Sequence, residues 1–178
     1  LHESKTRYYT QLLQGGAMPL RPGVKRLLCE ARASGLRLAI ATTTTPDNVY
    51  ALLKHHFTEA HGDWFEYIAA GDAVAVKKPA PDVYLRVLDH MKITPRQAIA
   101  VEDSENGLRA SRDAGMPTLI TLNDYTREHD FAGALAVVSD LGEPDAPFQL
   151  VSGDAHGRRF VDVELLQRWH VKAVHCGP

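Results

Sequence analysis

The chain has 178 residues, 44% hydrophobic and 24% charged, enough apolar material for one packed domain with at most a small appendage. With 20 basic against 22 acidic residues, the formal net charge of −2 argues against a nucleic-acid or membrane-surface partner. No apolar run nears the ~20 residues of a membrane span, Leu1 to Lys5 is too polar for a signal peptide, and the distant Cys29 and Cys176 form no Cys-x-x-Cys pair, which fits a reducing, cytoplasmic setting without disulfides or zinc.

There is no initiator Met, and Leu1 falls inside a helical pattern, so the sequence is expected to begin part-way along a longer protein. Residues 1–16 read as the last helix of something earlier with a Gly15-Gly16 return linker, 17–141 as the core, and 142–178 as a C-terminal appendage. Val24, Leu27, Leu28 and Ala31 form an apolar stripe at helical spacing, closed by Gly35, with Cys29 beside it as a core residue. Leu36 to Ala41 reads as a buried strand. Val49, Leu52, Leu53 and Phe57 form the next helical stripe, on which His55 and His56 are surface or packing residues. Glu66 to Ala70 is a second strand, and Val83, Tyr84, Val87, Leu88 and Met91 a third stripe. Gln97 to Val101 is a third strand, followed by a helix from about Glu105 to Ala114 that ends at Gly115. Pro117 to Thr121 is a fourth strand, and Leu135 to Val138 a shorter, peripheral fifth. Beyond Leu141 the sequence turns rich in Gly, Pro and Asp, then Arg159 to Val161 suggests a small strand and Val163 to Trp169 a helix. The alternation predicts an α/β fold with a Rossmann-like parallel sheet and flanking helices.

In an open parallel sheet, ligands gather beyond the carboxyl ends of the strands. After the first strand comes Thr42-Thr43-Thr44-Thr45-Pro46, hydroxyl donors leading into a helix, with Thr45 as N-cap and Pro46 as first helical residue. Its free backbone N–H groups suit a phosphate, or the segment is simply a capped turn with solvated threonines. After the second strand come Lys77 and Lys78, then Pro79-Ala80-Pro81-Asp82. Lys78 can neutralise a phosphate and a neighbouring carboxylate, or lie on the surface as most lysines do. After the third come Glu102 and Asp103, with Ser104 as the cap of the next helix. Paired hard oxygens suit Mg²⁺, and acidic residues also favour a helix N-terminus without any metal. Gly107, one turn further on, allows a close approach or is a tolerated packing glycine. A hydroxyl, a cation and two carboxylates in this order could hold a phosphoryl group and its metal.

Ala39-Ile40-Ala41-Thr42, Lys78-Pro79-Ala80-Pro81-Asp82 and Glu102-Asp103-Ser104 with Gly107 and Ala114-Gly115 resemble the haloacid dehalogenase superfamily, in its beta-phosphoglucomutase and phosphoglycolate phosphatase branch. Within it, Arg21-Pro22-Gly23-Val24, Ala41-Thr42-Thr43-Thr44, Thr121 to Thr126 and the tail near Val161-Asp162 are similar to the CbbY-type phosphatases. The resemblance implies Mg²⁺ as cofactor and a small phosphorylated sugar as substrate, with xylulose 1,5-bisphosphate the example of that group. It implies that Thr42 binds the phosphoryl group with Thr43 and Thr44 adding donors. Lys78 would steady the phosphoryl group and the nucleophile. Asp103 would ligate the metal with Glu102 supporting its shell. The helix before residue 14 would be the last of a helical cap.

The family's nucleophile lies in an Asp-x-Asp-Gly motif at the end of its first strand, and no such motif occurs in this sequence. The resemblance therefore implies that the central strand, both aspartates and most of the cap lie in an N-terminal segment outside it. Hydrolysis through an aspartyl phosphate is the expected activity, inactive in this chain alone. A phosphosugar mutase using the same intermediate and a non-catalytic phosphate-binding fragment are the alternatives.

Overall fold

A computed structural model describes residues 19–57 and 64–176, in which five α-helices and six strands form, alternating as far as the fourth strand. They are α1 (Val24–Ala33), β1 (Ala39–Ala41), α2 (Pro46–His56), β2 (Tyr67–Ala69), α3 (Asp82–Met91), β3 (Ala100–Glu102), α4 (Glu105–Asp113), β4 (Thr118–Thr121), β5 (Ala136–Val138), β6 (Leu150–Ser152) and α5 (Val163–Cys176). The helix and linker read over 1–16 lie outside the described residues. Among those described, no helix is long and apolar enough to cross a membrane.

The helix ends follow from local chemistry. α1 ends where Gly35 takes φ +73°, which lets the Leu36 N–H reach back 2.9 Å to the Ala31 carbonyl. Gly115, at φ +80°, closes α4 in the same way, with the Met116 N–H on the Ser111 carbonyl at 3.0 Å. α1 buries Leu27 and Ala31, four residues apart on one face. Cys29 was expected in that core and is instead exposed, because a residue two positions from Leu27 points away from the stripe. Leu36 is likewise outside the first strand and exposed, since pairing with β2 begins only at Ala39.

The strands divide into two groups. β1 pairs in parallel with β2, Ala39 opposite Tyr67 and Ala41 opposite Ala69. β3, β4 and β5 form a second parallel set, which β6 extends antiparallel. The division falls between β1 and β3, each of which keeps an edge with no strand paired to it among the described residues. α3 packs across the division. Its Val83, Tyr84, Val87, Leu88 and Met91 share a cluster with Ala100 of β3 and Ala110 of α4, against which Ala39 and Ala41 of β1 also lie. Burial changes sharply along the sheet. Every residue of β4 and β5 is buried, as a sheet covered on both faces requires, whereas all three residues of β1 are only half-buried and Val101 of β3 is 45% exposed.

The stretch after Leu141 packs into the main core, where Val161, Val163, Leu165 and Trp169 join Leu27, Leu119, Ala136 and Val138. The small strand expected at Arg159 to Val161 does not form. Val161 is fully buried as a plug, its N–H bonded 2.8 Å to the Leu141 carbonyl and its own carbonyl taken by Arg26 at 3.0 Å. The strand that does form is β6, which covers the open edge of β5 with three exposed residues.

Candidate active site

Lys78 joins the carboxyl ends of the two strand groups. Its ammonium donates 3.0 Å to the carbonyl of Ala41, the residue before Thr42, and forms an ion pair with Glu102 Oε1, the residue before Asp103. The three chemical clusters picked out along the sequence thus meet at one rim. The pair is sheltered, with 14% of the Lys78 side chain and 8% of the Glu102 side chain exposed. Tyr84 completes it from below. Its hydroxyl donates to the same Glu102 oxygen, lies 3.4 Å from Lys78 Nζ, and its ring centroid is 4.9 Å from that nitrogen. Burial, then the Glu102 charge, pushes the Tyr84 phenol far above its ordinary value, so it stays protonated as a donor. Lys77 does different work, bonding the Gly71 carbonyl and Asp72 Oδ1, both at 2.8 Å, and so closing its own loop.

The threonine turn is held by its own hydroxyls. The Thr42 N–H continues the β1–β2 ladder to the Ala69 carbonyl at 2.9 Å, while its Oγ1 accepts the Thr44 N–H at 3.2 Å. That leaves the Thr42 O–H to donate. Thr44 Oγ1 accepts from the buried Asn48 amide at 3.2 Å, and Thr43 is exposed at the tip. Thr45 holds the N-cap position with extended backbone and Pro46 follows at the first helical position, but the Thr45 side chain makes no capping bond.

Asp103 is exposed one residue past β3, while Ser104 accepts the Gly107 N–H at 3.1 Å as the N-cap of α4. Asn123, two residues past β4, donates 3.1 Å to Asp103 Oδ2. Arg21 secures the floor beneath it, bonding Thr121 Oγ1 at 2.9 Å, the Leu122 carbonyl, and the Ser139 carbonyl at 2.6 Å. This ties the carboxyl ends of β4 and β5 together.

Three contributors escaped the sequence reading. Tyr84 was taken only as part of an apolar stripe, and Arg21 only as part of a resemblance. Asn123, also taken only within a resemblance, carried a usable signal, since it lies two residues past the fourth strand, at the same rim as the other clusters. Among the described residues, no group of three or more His, Cys, Asp or Glu side chains converges.

The chain is similar to known proteins in sequence and in fold. The haloacid dehalogenase-like hydrolase profile matches residues 1–121. The plasmid-encoded CbbY of Cupriavidus necator is 47% identical over 174 residues, covering 96% of this chain and 66% of that protein. A phosphorylated carbohydrates phosphatase of Thermotoga maritima is 31% identical over 142 residues, 78% of this chain and 62% of its own length. The crystal structure of CbbY from Rhodobacter sphaeroides in complex with phosphate superimposes with a TM-score of 0.74 at 43% identity, over 78% of this chain and 62% of that one. A mutant of the same protein has been solved with xylulose-(1,5)bisphosphate. The chain thus spans a little under two thirds of these proteins' length.

Proposed function

The chain belongs to the haloacid dehalogenase-like hydrolases, and from that premise we propose that it carries the phosphate-binding and metal-holding side of a phosphatase acting on a small sugar phosphate. The observation that carries the proposal is the Lys78 bridge, which brings Thr42 and Asp103 to one rim through their neighbours Ala41 and Glu102. In this reading the Thr42 hydroxyl and the Thr43 and Thr44 segment donate to phosphoryl oxygens, and the Lys78 charge offsets theirs. Glu102 spends one oxygen on Lys78 and Tyr84, and its other lies 3.4 Å from the Asp103 N–H, so its part is to steady Lys78.

Asp103 suits Mg²⁺. It is exposed, keeps one carboxylate oxygen clear of Asn123, and Mg²⁺ is commonly held by one or two carboxylates with phosphate and water supplying the rest. Bound there, the ion would withdraw charge from the phosphoryl oxygens. The attacking carboxylate is assigned to a further strand of the same protein lying between β1 and β3, which the half-buried β1 and exposed Val101 support. It would displace the sugar oxygen from phosphorus, an acid would protonate that oxygen, and water would then cleave the acyl phosphate. Xylulose 1,5-bisphosphate is the first substrate to consider, because a 43% identical protein has been solved with it.

The test is phosphate release by the full-length protein from a panel of sugar mono- and bisphosphates, with and without Mg²⁺. Mg²⁺-dependent release is expected, most strongly from the bisphosphate. Absence of release from every sugar phosphate would overturn the proposal, and an isomerised phosphosugar in place of free phosphate would make the protein a mutase.

A further inference from the structure

We propose that Asn123 is a positioning residue that holds Asp103 with a single oxygen presented to the cation, and so sets the site for Mg²⁺ over Ca²⁺. The proposal rests on the reading of Asp103 as the metal-holding residue given above. The direction of the Asn123 amide is fixed by its own backbone surroundings. Its Oδ1 accepts the Tyr125 N–H at 2.9 Å, which leaves Nδ2 as the group facing Asp103 Oδ2 at 3.1 Å.

The turn that carries Asn123 is closed on itself. The Asn123 N–H donates to Thr126 Oγ1 at 3.2 Å, the Thr126 N–H returns to the Asn123 carbonyl at 3.1 Å, and Thr126 is buried. Below it, the Arg21 guanidinium pins Thr121 and Leu122 at the turn's entry. Asp103, by contrast, is an exposed side chain on a strand end. A donor fixed by its own turn thus meets an exposed carboxylate.

Donation to Oδ2 takes up one of that oxygen's lone pairs and so favours Oδ1 as the ligand oxygen. Mg²⁺ takes six ligands at short, strict distances, whereas Ca²⁺ accepts six to eight and often closes on both oxygens of one carboxylate. A carboxylate already engaged through one oxygen by a directional N–H bond is poorly placed for that bidentate grip. Partners that orient a metal ligand typically change metal affinity about 10- to 100-fold when removed.

The experiment is calorimetric titration of Mg²⁺ and of Ca²⁺ into the full-length protein and its Asn123→Ala and Asn123→Ser variants. Serine keeps an acceptor for the Tyr125 N–H but is too short to reach Asp103, so it separates the turn from the latch. Both variants are expected to lose about 10-fold or more in Mg²⁺ affinity and to show a smaller Mg²⁺-over-Ca²⁺ preference. The KM for a sugar phosphate at saturating Mg²⁺ is expected to stay within about twofold, since Asn123 is assigned to the cation alone. Unchanged affinities for both cations, in a parent protein that binds Mg²⁺, overturn the role of Asn123 alone. A parent protein that binds neither cation overturns the metal role of Asp103 and this inference with it.

Discussion

Gly107 faces the carboxylate of Glu102 across the first turn of α4, and a Cβ on Gly107 would lie only 2.8 Å from even the farther carboxylate oxygen. The glycine is there to clear space for an acid, and through that acid it governs Lys78. Gly107→Ala forces Glu102 off its position, an overpacking expected to cost about 1–3 kcal/mol. The cost should largely vanish in a Glu102→Ala background, where the obstructing carboxylate is gone. Denaturant midpoints of the full-length protein and its single and double variants measure this coupling. Additive costs would mean that Gly107 does not act through Glu102.

Lys78 and Tyr84 both bond the sheltered Glu102 carboxylate, and the two partners are not equivalent. Lys78→Met leaves a largely buried carboxylate with, among the described residues, only the Tyr84 hydroxyl for a hydrogen-bonded side-chain partner, a loss expected at about 3–5 kcal/mol. Tyr84→Phe removes one charge-assisted bond and is expected to cost less, about 1.5–3 kcal/mol. Phosphate release by the full-length protein should collapse with Lys78→Met and fall only modestly with Tyr84→Phe. Equal losses of turnover would show that Tyr84 is more than a support.

The candidate site was picked out because strand ends are marked in the sequence by a change from apolar to polar. Thr42, Lys78, Glu102 and Asp103 were singled out that way as candidates, and Ser104 was identified correctly as a cap. What the sequence concealed was pairing. Glu102 and Asp103 look alike in one dimension, yet one turns inward to Lys78 and the other stays exposed beside Asn123. Tyr84 fitted an apolar stripe, and nothing in that periodicity shows where a phenol's hydroxyl ends. β6 was missed because its side chains are exposed and it gains only edge pairing, whereas the buried Val161 mimicked a strand and turned out to be a plug.

At the start of α5, hydrogen bonds first from Arg158 and then from Arg168 hold the Glu164 carboxyl below its ordinary value. A carboxyl whose pKa is depressed in the folded state adds stability above its unfolded pKa. That contribution is lost as pH falls through the folded value. Glu164→Gln is therefore expected to weaken the protein near neutral pH, with the difference from the parent closing as the solution is acidified below about pH 4. Urea midpoints of both proteins between about pH 7 and pH 3 test this. A difference that widens toward acid would contradict the assignment.

Among the described residues β1 and β3 each keep an edge with no strand paired to it, and these edges carry the largest consequence for the isolated chain. The most buried strands, β4 and β5, lie toward one side of the described sheet, while exposure rises toward the division, reaching 45% at Val101. In a doubly wound sheet the middle should be the driest part, so the central strand proposed above would cover Val101 and pair with both edges. Unpaired N–H and C=O groups beside exposed apolar side chains template self-association. Residues 1–178 expressed alone are therefore expected to bind a hydrophobic dye, to melt without a sharp transition, and to sediment as a mixture of oligomers or aggregates. The full-length protein is expected to do none of these. A monomeric, dye-silent and cooperatively melting 1–178 chain would show that the two strand groups satisfy each other without help, and would remove the strongest support for an additional central strand.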